Sequence, residues 1–198
     1  MGVFLFSMWL GLSAAGPAAE GVYAGGKVDE GPTTEEIDAA LHSVERDVPF
    51  TTSGLIMPVA GISARQLVDT FGASRSGGRS HGALDIMAPR GSLVVSATDG
   101  IVEQLHHSRA GGITAYVRSV DGHWVYYYAH LDSYAPGLEV GQHLRHGDPI
   151  GRVGSTGNAN AAWPHLHFAV YRMSPGARWY QGRPVNPYPL LAGNASRR

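Results

Sequence analysis

The chain has 198 residues, a formal net charge of -1, ten histidines and no cysteine. That length suits one domain with a real hydrophobic core and is short for two. The near-neutral balance gives no global pull on phosphate backbones, which argues against non-specific nucleic-acid binding. The lack of cysteine excludes a disulfide framework, a thiol nucleophile and thiolate ligands, so any metal must be met by imidazole and carboxylate.

The first residues form an apolar run from about Val3 to Leu12 that ends in small residues, Ala15 to Ala19. The pattern fits the ~7–15-residue apolar core of a secretory leader over residues 1–19 and falls short of the ~20 residues of a bilayer span, although no Lys or Arg precedes it. An exported protein with no permanent membrane span is expected, periplasmic or extracellular. Residues 20–53 read as a linker and a helical segment. Gly21 to Pro32 is Gly-rich and aperiodic, then Thr33 and Glu36 offer a capping box, and Ile37, Leu41 and Val44 recur at helical spacing.

From residue 54 the texture changes to short Val/Ile/Tyr-rich runs punctuated by Gly, Pro, Asp and Asn, the mark of a mainly β domain, expected over 54–192 with a tail at 193–198. Strands are predicted at Leu93–Ala97, Gly100–Leu105, Pro149–Val153 and Leu166–Tyr171, with a loop from Gly154 to Pro164. Between them, Thr114–Val120 and His123–His130 flank Asp121-Gly122, a dipeptide that type I′ hairpin turns prefer. Strict alternation along the second strand puts Trp124, Tyr126, Tyr128 and His130 on one face.

Two short patterns carry the chemistry. His81 and Asp85 share a face in an extended segment, two pleats apart, and so do His165 and His167, one pleat apart. Leu166, Phe168 and Val170 take the opposite face and can anchor their strand in the core. Two imidazoles and a carboxylate are a ligand set that suits zinc, which in catalytic sites leaves a fourth position to water and brings that water's pKa towards ~7. Either pattern alone arises easily by chance in a chain with ten histidines.

The ordered series HGALDI, APRGSLVVSATDGIV, YYYAHL, GDPIGRVGSTGN and PHLHFAVY resembles the lysostaphin-like (LytM-type) zinc endopeptidases, family twenty-three of the metallopeptidases, over about Met57 to Tyr171. The resemblance implies a mainly β, duplicated-hybrid-motif-like domain: an antiparallel sheet with a groove walled by loops, here with a short N-terminal helix. It implies one Zn²⁺ held by His81, Asp85 and His167, and two catalytic non-ligand histidines, His130 and His165, one acting as base and the other stabilising the oxyanion. It also implies peptidoglycan peptides as substrate, without saying which bond is cut. A monomer is expected.

Blander assignments hold elsewhere. The run Gly151–Gly157 lacks the Lys of a phosphate-binding loop and is expected to wall the groove. His143 and His146 are expected to be solvated, as are His42, His106, His107 and His123, and the strand aromatics Trp124, Tyr126 and Tyr128 to pack rather than line the groove. Arg75 and Arg79 are candidates to meet substrate carboxylates. Two rivals remain: a non-catalytic member of the same fold that binds cell wall or activates other hydrolases, and a cytosolic phosphocarrier domain. The complete set of five residues counts against the first, Asp85 and the leader against the second.

Overall fold

Nine strands form one antiparallel sheet in the computed structural model, which describes residues 54–75, 78 and 80–193. The expected leader, linker, capping box and helix, together with Arg79 and residues 194–198, lie outside the described residues. The strands are β1 Leu84–Met87, β2 Leu93–Val95, β3 Gly100–Ser108, β4 Gly112–Ser119, β5 Trp124–Tyr134, β6 His143–Leu144, β7 Pro149–Val153, β8 His165–Arg172 and β9 Arg183–Val185. A 3-10 turn at Ala64–Gln66 and a helix α1, Tyr188–Ala192, are the described helical pieces. No described helix is long and apolar enough to cross a membrane.

The main path runs β1-β8-β5-β4-β3-β6, with β9 added beside β8 and the β2/β7 pair joined through β5. One face buries Val59, Leu84, Val102, Val117, Tyr126, Tyr128, Leu131, Leu166, Phe168 and Val170. The period of two explains the choice: Leu166, Phe168 and Val170 face inward while His165 and His167 face out. At about 1.5–3 kcal/mol for each fully buried large apolar side chain, those three residues fasten β8 firmly enough to carry polar groups on its other side. Tyr126 and Tyr128 pack in the core as expected, and the Tyr128 hydroxyl accepts the Ala97 N–H at 2.9 Å.

Two local expectations are corrected. The β4–β5 connection is not a type I′ turn, which needs positive φ at both central residues. Among the described non-glycine residues only His130 has positive φ, so Asp121 does not qualify. The link instead covers residues 120–123, closed by Gly122 N–H to the Ser119 carbonyl at 2.9 Å, with the Asp121 carboxylate accepting the His123 N–H at 3.0 Å.

The second correction concerns β5 itself. Its first half pairs with β8 as far as Ala129↔His167, and its second half pairs with β7 from Leu131↔Val153. His130 stands at the changeover with φ 60, a left-handed conformation costly for a residue with a Cβ. The irregularity, matched by a register shift against β4, turns His130 away from the core face that Tyr126 and Tyr128 occupy.

Candidate metal centre

The outer face of β8 and the edge strand β1 bring Asp85 and His167 together, because those two residues are register partners. His81 arrives differently. It precedes β1, and in a fully extended segment it would stand about 13 Å from Asp85. The chain bends at Ala83 instead, and His81 is clamped at its backbone by the Ala73 carbonyl, 2.9 Å, and the Gly72 N–H, 2.8 Å. The shared-face expectation is therefore replaced by a curl that reaches the same neighbour.

Three potential ligand atoms converge: His81 Nε2 lies 3.1 Å from His167 Nδ1 and 3.2 Å from Asp85 Oδ1, and His167 Nδ1 lies 3.0 Å from Asp85 Oδ1. A tetrahedral ion with bonds of about 2.0–2.2 Å separates its ligands by about 3.3–3.5 Å, so this triangle is close to one face of such a shell. The His81 Nδ1–H donates to the Thr70 carbonyl at 2.8 Å, which leaves the lone pair of Nε2 facing the other two atoms. Lone pairs gathered this tightly repel one another unless a cation sits among them. No other such group of three is found among the described residues.

Thr70 supports both sides of the triangle, since its hydroxyl also accepts the Asp85 N–H at 2.9 Å. Burial opposes ionisation of Asp85, but the neighbouring His167 and His81 imidazoles and the Arg75 guanidinium outweigh it and hold the carboxyl well below the usual carboxylate range. Burial pushes the His167 imidazole down, with the Asp85 carboxylate opposing. The group therefore keeps Asp85 as a carboxylate, while burial works against a charge on His167.

His130 and His165 flank the triangle. Their rings are 5.0 Å apart, His130 is 5.5 Å from the His167 ring, and His165 Nε2 is 3.8 Å from Asp85 Oδ1. A carbonyl can only accept, so His130 Nδ1–H donates to Thr156 O at 2.8 Å and His165 Nδ1–H to Trp163 O at 2.9 Å. In both rings Nε2 is the nitrogen left for chemistry. Burial, opposed by the Thr156 bond, lowers the pKa of His130 to about 4, so it is neutral at pH 7.

All five residues line one cleft of ≈ 620 Å³. Its wall includes Asn158 and Asn160 from the loop after β7, whereas the Gly151–Gly157 run expected to wall it does not line the cleft. Close backbone contact seats this loop: a Cβ on Gly157 would stand 2.3 Å from Gly112 N, and Gly157 has φ +76. His143 and His146 form no metal group; the latter pairs with Asp99 at 2.8 Å. Tyr127, not singled out from the sequence, lines the cleft and sets its ring edge-on to His167 at 6.0 Å. Its signal was present as the odd position among three consecutive tyrosines; nothing local marked Thr70 or Thr156.

Known proteins resemble the chain in sequence and in fold. The chain is 35% identical over 129 residues to the L-Ala--D-Glu endopeptidase of Bacillus subtilis, covering 62% of this chain and 38% of that protein. It is 30% identical over 90 residues to the peptidoglycan DD-endopeptidase ShyC of Vibrio cholerae, covering 46% of this chain and 20% of that one, so it spans well under half the length of these relatives. The catalytic domain of the antimicrobial peptidase lysostaphin from Staphylococcus simulans superposes with a TM-score of 0.55 at 27% identity, over 65% of this chain and 94% of that domain. The mostly antiparallel sheet is that of lysostaphin-type domains. The model of Peptidase family M23 matches residues 79–187, more than half of the chain, and the chain belongs to that family.

Proposed function

We propose that this protein is an exported, zinc-dependent endopeptidase that hydrolyses peptide bonds in peptidoglycan stems or cross-bridges, with residues 54–192 as its catalytic domain. The observation that carries this reading is the His81–Asp85–His167 triangle, 3.0–3.2 Å on each side, in a cleft with two further imidazoles whose free nitrogens are Nε2. The relatives' names support the substrate class, and the leader expected over residues 1–19 supports export.

His81, Asp85 and His167 would hold the zinc. When bound, the ion activates a water molecule and polarises the scissile carbonyl. The chain's own groups then manage protons and charge. One of His130 and His165 takes the proton of the attacking water and passes it to the leaving amine. The other, once it carries a proton on Nε2 as well as on Nδ1, donates a hydrogen bond from Nε2 to the oxygen on which negative charge develops, an interaction typically worth ~2.7–4 kcal/mol in the transition state. Both rings are held by carbonyls at Nδ1, so neither has to be reoriented for this task.

The test is zinc analysis of the purified protein with and without chelator, alongside digestion of peptidoglycans of several chemotypes with mass identification of the released ends. New peptide termini that vanish with the metal are expected. Stoichiometric zinc with no new termini on any chemotype would leave a binding module in place of an enzyme.

A further inference from the structure

We infer that Arg75 reads a free carboxylate on the residue that supplies the nitrogen of the bond to be cut. This rests on the peptidase reading above and narrows its substrate. Arg75 lines the cleft, and its guanidinium donates from Nη2 to Asp85 Oδ2, the oxygen that faces away from His81 and His167. It thus stands one carboxyl group from the converging ligand atoms. That contact engages a small part of a five-donor fork, and the side chain remains 43% exposed.

Among the other described lining residues, Asp85 alone carries a fixed charge. Ser74, Ser80, Tyr127, Asn158 and Asn160 carry no charge, and Asp85, the lining carboxylate among the described residues, is already engaged. Arg75 is the one fixed cation among the described lining residues, and with a dication on the triangle the site bears net positive charge. A planar fork pinned by one carboxylate is organised in advance for another, because little side-chain freedom remains to be lost on binding.

Peptide chemistry then says where the carboxylate belongs. On the carbonyl side the carboxyl nearest the bond is spent in the scissile amide, and a γ-linked glutamyl residue keeps its α-carboxylate only several carbons away. A free carboxylate next to that bond must therefore sit on the carbon bearing the scissile nitrogen, as in an alanyl–glutamyl bond continued through the glutamyl side chain or a D-alanyl–diaminopimelate cross-link. A glycyl-glycine bond has none.

The experiment uses the full, zinc-loaded chain. Its substrates are an alanyl-γ-glutamyl stem peptide and a D-alanyl–diaminopimelate cross-linked peptide, each with the carboxylate beside the scissile amide free or as carboxamide, plus pentaglycine. The free-acid form of at least one peptide is expected to be cleaved with kcat/KM about 10- to 100-fold above its amide. Arg75→Gln should bring that ratio close to one, Arg75→Lys should retain part of it, and pentaglycine should be the poorest substrate. A ratio that Arg75→Gln leaves unchanged, or a preference for pentaglycine, overturns the inference. If the wild type cleaves none of these, the peptidase reading fails by itself. Calorimetric binding of the same free-acid and amide peptides then decides on Arg75: tighter binding of the acid that is lost in Arg75→Gln sustains it, and equal binding ends it.

Discussion

Replacing His130 by alanine and by glycine separates what its ring does from what its backbone costs. Both variants lose the ring and its bond to the Thr156 carbonyl, a loss common to the two that cancels in their difference. What differs is the backbone at φ 60. An L-residue there costs about 1–2 kcal/mol, whereas glycine adopts the conformation freely and loses about 0.5–1 kcal/mol more chain entropy on folding. The glycine variant should therefore be the more stable by about 0.5–1 kcal/mol, the reverse of the usual order in a strand. Urea unfolding of the metal-free proteins reads this directly, and the control is Ala115→Gly, where φ is not positive and glycine should destabilise. An alanine variant as stable as the glycine one would refute the claim that strain in β5 is what carries His130 out of the core. Both variants should lose about 10²–10³ in kcat while keeping their metal.

Four further outcomes follow from the same geometry. His81→Ala and Asp85→Ala should lose bound zinc in elemental analysis, whereas His165→Ala should retain it and lose turnover by about 10²–10³. Zinc at about a hundredfold over its dissociation constant should stabilise the wild type by about 2.7 kcal/mol, seen as a higher Tm by calorimetry, and the shift should be absent in Asp85→Ala. Stability of the metal-free protein should fall as pH drops from about 6.5 to 4: the pKa of His130 is lowered to about 4 in the fold, so the unfolded chain binds more protons across that window. Allowing for solvent screening, the His130 share of the loss is about 1–2 kcal/mol by pH 5, measured as a lower urea midpoint, and His130→Ala should lessen the slope while leaving the part due to His167. Gly157→Ala, with its Cβ 2.3 Å from Gly112 N and φ +76, should cost about 2–4 kcal/mol and impair turnover by unseating the loop that holds His130.

Much was legible in the residues alone. The β texture, the bounds of β7 and the two faces of β8 follow from local alternation, since a strand's side chains leave no choice beyond which face is buried. Of the five residues brought to one cleft, four were visible as types and spacings, and His130 through the family resemblance of the YYYAHL run. Tertiary structure alone decided how they meet. His81 reaches Asp85 through a bend and a backbone clamp from residues 72 and 73, not through an extended face. His130 leaves the side of Tyr128 because β5 changes partner from β8 to β7 at that residue. Thr70 and Thr156 hold imidazoles from 11 and 26 residues away, and Arg75 meets Asp85 across 10. Periodicity reports the neighbours of a residue on its own strand, whereas bulges, clamps and carbonyl partners depend on which segments the sheet sets side by side.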